Sequence, residues 1–179
     1  MVETAVDPFE ILTELEARAI AHAVPLPSQE EAQERWTGVG FSLDGVHYVT
    51  PLSEVAEILT LPALTRVPGA KSWVRGIANV RGMLLPVMDL HGYFGRSARP
   101  SKRQRVLVMN HAGVFSGVVV DDVLGLQHFD YEDAVEVSLP EDDPRQAYLA
   151  GGFQRKGELW TIFSLYALAE NETFLQVAQ

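Results

Sequence analysis

The feature that most constrains this chain is a segment that occurs twice, at residues 73–90 and 148–165. The two copies align without a gap at a shift of 75 residues (151 − 76), which pairs Gly76 with Gly151. Other positions pair by chemical type: Trp73 with Tyr148, Asn79 with Gln154, Arg81 with Lys156, Gly82 with Gly157, Leu84 with Leu159, Val87 with Ile162, Asp89 with Ser164, and Leu90 with Leu165. A repeat of this length describes the architecture of a fold, because each copy encodes one supersecondary unit.

Each copy has the pattern of a β-hairpin followed by the start of a helix. An aromatic and β-branched run ends at Arg81-Gly82 in one copy and at Lys156-Gly157 in the other, and a second apolar run follows. Gly accepts positive φ without a Cβ clash, so both dipeptides favour a tight turn between strands. Asp89 and Ser164 then stand where a helix N-cap belongs, since their side-chain oxygens can accept a bond from an exposed backbone N–H. Short helical patterns follow at 90–94 and 165–169.

A weaker repeat lies upstream of each hairpin, at residues 45–58 and 113–126, with a shift of 68 (113 − 45). Each half of the chain therefore has the order strand, turn, strand, short connecting stretch, hairpin and helix, and we predict about five strands in each half. Short strands with turn signals at this spacing favour small antiparallel barrels or sandwiches. The predicted fold is mostly β, with two pseudo-symmetric five-stranded barrels at residues 36–95 and 105–168 and with short helices.

The residues that precede the repeat belong to neither copy and have a helical pattern. Apolar residues recur at three- and four-residue steps between residues 8 and 23, and a second helical piece is predicted over 28–35. We therefore predict an N-terminal helical extension at 1–35 and a separate C-terminal tail at 171–179. Two uses of the extension fit its amphipathic pattern: the apolar face packs on the barrels, or it docks a partner.

Composition and charge exclude several classes of function. The chain has 179 residues and a formal net charge of −10 at pH 7, which disfavours nucleic-acid binding, since phosphate contacts need clustered Lys and Arg. The basic cluster at 96–105 contains Pro100 and is interpreted as a linker between the barrels. No cysteine is present, which rules out disulfides and thiolate chemistry. Neither a secretory signal nor an apolar run long enough to span a bilayer is found, so we expect a cytoplasmic protein without direct membrane insertion.

The sequence offers no convergent catalytic groups. Its five histidines form no metal-spaced pair, and it has neither a phosphate-binding glycine loop nor a nucleophile elbow. The acidic run Glu141-Asp142-Asp143 lies between Pro140 and Pro144, which is typical of a surface loop. We therefore predict a binding module that is not an enzyme and uses neither a cofactor nor a metal. A small hydrolase or metalloenzyme that uses the acidic loops is the alternative from a different class.

At residues 46–95 the sequence resembles a known family. The stretches Gly-Ile-Ala-Asn-Val-Arg-Gly at 76–82 and Leu-Pro-Val-Met-Asp-Leu at 85–90 are similar to the signature of the CheW family, the adaptors of bacterial chemosensory arrays. The resemblance covers residues 36–170 and implies two five-stranded SH3-like barrels. It also implies a function, the coupling of a methyl-accepting chemoreceptor's cytoplasmic tip to the regulatory domain of a CheA-type histidine kinase. The N-terminal extension resembles that of the family's type IV pilus branch, which acts in twitching motility.

The resemblance also implies which residues meet the partners. Val55, Glu57 and Ile58 match a family stretch linked to receptor and kinase contact. Gly76 matches a glycine at a kinase-sensitive site, and Arg81 matches the arginine of an Asn-x-Arg-Gly motif at the receptor-facing groove. We predict a charge-assisted pair between Arg81 and Glu57, for which a structural role and a partner contact are both open. The alternative function is a module that binds the kinase or pilus-system proteins without a receptor.

Two positions depart from the family pattern. Lys71 stands where a proline is common, and His91 stands where an arginine is usual after Asp-Leu. Both changes are expected to affect the contacts with the receptor more than the fold.

Overall fold

The computed structural model describes residues 35–97 and 101–177, together with Phe9, Thr13, Glu14 and Arg18. The chain divides into two compact units, Met1–Gln33 and Glu34–Gln179. The four described residues of the first unit are helical, and the Thr13 hydroxyl donates to the carbonyl of Phe9. Arg18 pairs with Glu14 one helical turn away, at 2.6 Å. The rest of the extension predicted at 1–35 lies outside the described residues, except Arg35, which is the first residue of a strand.

The second unit is mostly β with short helices, as the sequence predicts. The strands are β1 (Arg35–Leu43), β2 (Val46–Pro51), β3 (Glu57–Thr60), β4 (Val74–Val80), β5 (Met83–Asp89), β6 (Arg105–His111), β7 (Val114–Val120), β8 (Asp122–Asp130), β9 (Ala134–Val135), β10 (Leu149–Arg155) and β11 (Glu158–Phe163). The helices are α1 (Leu90–Tyr93), α2 (Leu165–Glu170) and α3 (Glu172–Leu175), and 3₁₀ turns span Leu52–Glu54, Tyr131–Asp133 and Gln146–Tyr148.

These strands form two sheets. Sheet 1 has the order β8-β1-β2-β11-β10-β9, and sheet 2 has the order β3-β6-β7-β5-β4. Neighbouring strands are antiparallel except β2 with β11 and β5 with β7, which are parallel. A short turn cannot join parallel neighbours, so these two pairs bring together segments that are distant in sequence.

Each sheet takes its strands from both copies of the repeat. Hairpin β1–β2 of the first copy lies in sheet 1 with β8–β11, and hairpin β6–β7 of the second copy lies in sheet 2 with β3–β5. The exchange keeps its register: Val87 lies opposite Gly117, and their repeat equivalents Ile162 (87 + 75) and Val49 (117 − 68) also lie opposite each other. The sheets therefore differ from the contiguous barrels predicted at 36–95 and 105–168, because parallel pairing places each leading hairpin in the other copy's sheet.

The two sheets also differ in strand number. Sheet 1 has a sixth strand, the two-residue β9, which pairs with Gly152 and Phe153 of β10. At the equivalent place in sheet 2, Thr65 forms a single bridge with Ile77 of β4. The prediction of five strands in each half therefore holds for the first copy, while the second copy adds one short strand.

Three apolar clusters stabilise the second unit. The largest contains side chains from both sheets and from the three α-helices of this unit, among them Phe41, Leu90, Leu107, Met109, Leu165, Leu168 and Phe174. A second lies in sheet 2 (Ala78, Leu85, Val87, Val106, Val108, Val119), and a third lies in sheet 1 (Val49, Phe129, Phe153, Trp160). Because the largest cluster draws on both sheets, they share one core, and burial of this apolar area is the main stabilising contribution.

Local geometry is the same in the two copies. Arg81-Gly82 has φ of 52° and 85°, and Lys156-Gly157 has φ of 52° and 83°, which is the type I′ geometry of a two-residue hairpin turn. Asp89 caps α1 by accepting from the backbone N–H two residues on at 3.0 Å. Ser164 caps α2 by accepting from the N–H three residues on at 3.1 Å. These turns and caps fix where each hairpin ends and each helix begins.

The C-terminal tail packs on the same unit. Asn171 caps α3 by accepting from two backbone N–H groups, and Phe174 of this helix is fully buried. The carbonyl of Val177 then accepts from the N–H of Lys71 at 2.9 Å. The predicted tail is therefore held against the connection that precedes β4, up to the last described residue.

Candidate functional site

Three of the predicted contact residues lie on or next to β3, an end strand of sheet 2. β3 pairs with β6 and, among the described residues, with no strand on its other side. Glu57 and Ile58 are its first two residues, and Ile58 is 42% exposed. Val55 precedes the strand and packs, partly buried, against the largest core cluster. β3 thus offers an open edge of the kind that can pair with another protein, while Val55 supports it from inside.

Arg81 lies at the tip of the β4–β5 hairpin and reaches back to β3. Its Nη2 donates to Glu57 Oε1 at 2.7 Å, which confirms the predicted pair. Since β3 and β4 are the two ends of the strand order, this ion pair joins the ends of sheet 2. The side chain of Arg81 is 76% exposed and that of Glu57 is 28% exposed. A guanidinium this accessible can donate to a partner as well as to Glu57.

Two exposed apolar residues follow the turn that carries Arg81. Leu84 is 68% exposed and Met83 is 54% exposed, directly after the turn that carries Arg81. Sequence reasoning missed both residues, although two adjacent apolar residues at the start of a half-buried strand break the expected alternation. We define the Arg81 surface as Glu57, Ile58, Arg81, Met83 and Leu84.

Gly76 does not belong to that exposed surface. It is buried in β4 at a register shift against β5, with a φ of +143°. A Cβ at this position would lie 2.4 Å from the carbonyl oxygen of Thr65, whose backbone bridges to β4. Only glycine allows the two backbones to approach this closely. Because Gly76 is buried, a substitution there can affect partner binding only indirectly, by displacing the backbone of Thr65 from β4.

The two positions that depart from the family pattern have different environments. His91 is 2% exposed, and its Nε2 lies 2.8 Å from Asp121 Oδ1. A side chain this enclosed serves the fold rather than a direct partner contact. Lys71 is partly exposed, and its Nζ lies 4.9 Å from the ring centroid of Trp73 in a cation–π contact.

The second copy of the repeat carries an equivalent surface on sheet 1. Lys156 lies at the tip of the β10–β11 hairpin, and Leu126 and Leu159 take the places of Ile58 and Leu84. Leu126 is 56% exposed and Leu159 is 43% exposed. We define the Lys156 surface as Leu126, Lys156 and Leu159. Sequence reasoning missed it, although the repeat contains the signal.

In the acidic loop that precedes β10, Asp143 is paired with an arginine of the same chain. Arg145 donates to both carboxylate oxygens of Asp143, at 2.9 and 2.5 Å, and its Nη1 donates to the hydroxyl of Tyr48 at 3.1 Å. The hydrogen bond from Arg145 lowers the pKa of Asp143 to about 2. Among residues 35–97 and 101–177, no group of three or more His, Asp and Glu side chains could hold a metal ion.

No helix in the described part of the chain is long and apolar enough to cross a membrane.

The candidate site consists of two exposed, related surfaces on two sheets that share a core. The sequence matches the family model of the CheW-like domain over residues 37–173. The chain belongs to the CheW-like family of non-enzymatic adaptors.

Relatives identify the branch of this family. Protein PilI of Pseudomonas aeruginosa is 44% identical over 172 residues, which cover 96% of each chain. The chemotaxis protein CheW of Helicobacter pylori is 32% identical over 117 residues, 65% of this chain and 66% of that one. The crystal structure of the scaffolding protein TtCheW from Thermoanaerobacter tengcongensis has a TM-score of 0.66 and 26% identity, over 77% of this chain and 94% of that one. The chain is a homologue of PilI and a chemosensory scaffold linked to type IV pilus motility, which confirms the predicted branch.

Proposed function

We propose that this adaptor couples the cytoplasmic tip of a methyl-accepting chemoreceptor to the regulatory domain of a CheA-type histidine kinase, at the cytoplasmic face of the membrane. One observation carries the proposal: two related surfaces, the Arg81 surface and the Lys156 surface, stand on two sheets with a shared core. Binding surfaces on rigid elements hold their partners in a defined geometry. We also propose that each sheet curls into the SH3-like barrel that the family resemblance implies.

The Arg81 surface has the composition of a protein interface. Aliphatic side chains lie beside an arginine, and arginine is enriched among residues that dominate binding energy. The pair with Glu57 restrains the Arg81 side chain, so less rotamer entropy is lost when a partner binds. We therefore assign direct partner contact to Glu57, Ile58 and Arg81. Val55 and Gly76 act indirectly, by supporting β3 and by setting the crossing of Thr65 over β4.

The adaptor works by coupling two binding equilibria and makes or breaks no covalent bond. If receptor and kinase both bind the same arrangement of the two sheets, each partner raises the affinity for the other by the same factor. The shared core supports such coupling, because packed cores shift between discrete arrangements rather than deform continuously. A receptor movement that changes the fit at one surface is thereby felt at the other.

Titration calorimetry tests the proposal with the kinase regulatory domain and a receptor cytoplasmic fragment as separate ligands. Leu84→Asp places a charge on the Arg81 surface without entering the core, since Leu84 is exposed. We expect this variant to lose about tenfold or more in affinity for a partner, with an unchanged melting temperature, because a buried unpaired charge opposes docking. Leu175→Asp is the matched control, since Leu175 is also exposed but lies in the C-terminal helix α3.

The titrations also distinguish the proposal from its alternative. Tight binding of the kinase domain with no binding of the receptor fragment would support a kinase-binding module that acts without a receptor. If the wild-type protein bound neither ligand while folded by circular dichroism, the coupling function would be wrong. If saturation with one partner left the affinity for the other unchanged, the coupling mechanism would be wrong while the two binding partners would stand.

A further inference from the structure

The described part of the chain passes from one sheet to the other at two places. At the first crossing, residues 52–56, it leaves β2 of sheet 1 and enters β3 of sheet 2. At the second crossing, Asp121, it leaves β7 of sheet 2 and enters β8 of sheet 1. Residues at the ends of elements absorb the torsion changes when packed elements move against each other. The contacts that hold the two crossings therefore help to fix the arrangement of the sheets.

A helix of the opposite copy holds each crossing. Tyr166, the second residue of α2, donates its hydroxyl to the carbonyl of Ser53 at 2.7 Å. His91, the second residue of α1, lies with its Nε2 2.8 Å from Asp121 Oδ1. The two pairs are equivalent in the repeat, since 166 − 75 is 91 and 53 + 68 is 121. Each copy thus fastens the crossing of the other through the same helix position.

At the first crossing, a carboxylate adds to this contact. Glu54 accepts from the hydroxyl of Ser164 at 3.1 Å and from the backbone N–H of Tyr166 at 3.0 Å. The oxygen of Ser164 also accepts from the N–H of Ala167 as the cap of α2, so one hydroxyl serves both the helix and the crossing. Glu54 thereby fastens the crossing to the first turn of α2, and bonds to a carboxylate are stronger than those between neutral groups.

The second crossing is held by a different set of bonds. The repeat equivalents of Glu54 and Ser164 are Asp122 (54 + 68) and Asp89 (164 − 75). Asp122 accepts from the N–H of the next residue at 2.9 Å, and Asp89 accepts from Arg75 at 2.9 Å. Two carboxylates have no proton to share, so this pair cannot repeat the bond between Ser164 and Glu54. The network around Glu54 is therefore particular to the first crossing.

Glu54 lies on a short path between the two exposed surfaces. Three residues after it, β3 begins with Glu57 and Ile58 of the Arg81 surface. On the other side of the bond, α2 follows β11 with one residue between them, and β11 carries part of the Lys156 surface. β3 has four residues and, in the described part of the chain, one neighbouring strand, β6. A strand with so few contacts opens easily, and the bonds of Glu54 hold the end at which it begins.

We propose that Glu54 is a positioning residue of the adaptor. By fastening the first crossing to α2, it holds β3 in one position relative to the β10–β11 hairpin, so that a partner bound at one surface changes the affinity at the other. Glu54 itself contacts no partner in this role. The inference rests on the proposed function, since it assigns the coupling of two binding equilibria to a particular network of bonds.

Titration calorimetry of the full-length protein tests this role, with the kinase regulatory domain and the receptor fragment titrated singly and each in the presence of the other. Glu54→Ala removes the acceptor, and we expect the coupling factor to fall about fivefold or more while each single affinity changes by less than about threefold. Asp130→Ala is the matched control, because it makes the same change in net charge at a partly buried carboxylate that pairs with Arg35 inside sheet 1. The control should keep the coupling factor of the wild type.

Two further variants separate positioning from general stability. Glu54→Gln keeps one oxygen that can accept from the N–H of Tyr166, so it should restore part of the coupling. Tyr166→Phe removes the bond to Ser53 but keeps the ring stacked on His111, with 3.8 Å between ring centroids, so coupling should fall by less than in Glu54→Ala. Hydrogen exchange of the β3 amides should become about tenfold faster in Glu54→Ala and stay unchanged in Asp130→Ala.

An unchanged coupling factor in Glu54→Ala would overturn the proposal, even if the melting temperature fell. Loss of affinity for one partner with unchanged coupling would show direct contact instead of positioning, and it would overturn the proposal as well. If Glu54→Ala does not fold, Tyr166→Phe decides by the same criterion. The wild type alone decides the proposed function: absence of binding or of coupling there would overturn that function together with this inference, whereas unchanged coupling in the variants overturns only the role of Glu54.

Discussion

Five strands of sheet 1 lie in the same order as the five strands of sheet 2, but different contacts join β10 to β8 in sheet 1 and β4 to β3 in sheet 2. In sheet 2 the link is the exposed Glu57–Arg81 ion pair. In sheet 1 the link is Arg155, which donates to the side-chain oxygen of Gln127 and to the carbonyl of His128. The two copies of the repeat therefore share a strand topology, but they differ in the side chains that join the first and last of these five strands.

The difference extends to where the cation lies. The guanidinium of Arg155 lies over the rings of Phe129 and Trp160, at 4.6 and 5.3 Å. The sheet 2 equivalents of Arg155 and Gln127 are Val80 (155 − 75) and Leu59 (127 − 68), which pack against the apolar cluster of that sheet. In sheet 1, therefore, Arg155 packs over aromatic rings between β10 and β8. In sheet 2 the equivalent positions are aliphatic, and the cation Arg81 is exposed to solvent, where a partner can reach it.

Separation of the two copies is expected to have the largest effect, because each sheet needs strands from both. A fragment that ends at residue 97 lacks β6–β11, and a fragment that begins at residue 101 lacks β1–β5. Neither should show a cooperative thermal transition alone, while an equimolar mixture should recover native circular dichroism and dispersed NMR shifts. A cooperative transition in either isolated fragment while it is monomeric would contradict the exchange of hairpins between the copies.

Gly76 and Gly151 are equivalent, and their replacement should differ in cost. Both have φ in a region that favours glycine, +143° and +96°. A Cβ on Gly76 would lie 2.4 Å from a backbone oxygen, whereas a Cβ on Gly151 would lie 3.4 Å from one. We expect Gly76→Ala to lower the free energy of unfolding by about 3 kcal/mol and Gly151→Ala by about 1 kcal/mol, measured by urea denaturation. Equal losses would show that backbone conformation, rather than the crossing of Thr65, sets the cost.

The two closing cations should also differ in their contribution to stability. Arg155→Ala removes two hydrogen bonds and two ring contacts, and we expect it to cost about 2 kcal/mol of unfolding free energy. Arg81→Ala breaks an exposed ion pair and should cost about 0.5 kcal/mol, a loss that disappears at high salt. Urea denaturation at two salt concentrations measures both. If Arg81→Ala lost more unfolding free energy than Arg155→Ala, the conclusion that Arg155 contributes more to the stability of the fold would be wrong.

The connections that precede β4 and β10 differ in whether they contain an ionisable pair, so their contributions to stability should depend differently on pH. Asp143 and Arg145 bond together before β10, while their sheet 2 equivalents, Pro68 (143 − 75) and Ala70 (145 − 75), line an apolar groove with Val177. The pKa of Asp143 is lowered from 3.8 to about 2 in the folded protein. Its ionised form therefore stabilises the fold above about pH 4, and this contribution is lost as the pH falls toward 2.

Asp143→Asn is the matching test of that pH dependence. The variant should be about 1 kcal/mol less stable at pH 7, because Arg145 loses its charged partner. Between pH 4 and 2, its melting temperature should fall less steeply than that of the wild type, and scanning calorimetry can compare the two slopes. Parallel curves would mean that other carboxylates account for the acid sensitivity.

Local features of this fold could be predicted from the sequence, whereas long-range pairing could not. Arg81-Gly82 and Asp89 determine a turn and a cap through their own backbone preferences and nearest neighbours, so the repeat was sufficient to locate them. The parallel pairing of Val87 with Gly117 depends on a partner strand that no periodicity names. The family resemblance led to Glu57 and Arg81, but it could not show that Gly76 is buried or that Glu54 bonds to α2 of the other copy.

The exchange of leading hairpins is the arrangement expected if a gene duplication fused the two subunits of a domain-swapped dimer. A single copy that traded its hairpin with an identical chain would form a two-fold symmetric, domain-swapped dimer with the same two sheets, and such a dimer must present the same surface twice. Joining the copies in tandem through residues 94–104 makes this arrangement one molecule. Each half can then mutate independently, as Glu57 against Gly125 and Arg81 against Lys156 illustrate. The proposed coupling of two unlike partners needs that broken symmetry, and the fused chain supplies it while keeping the core that the two sheets share.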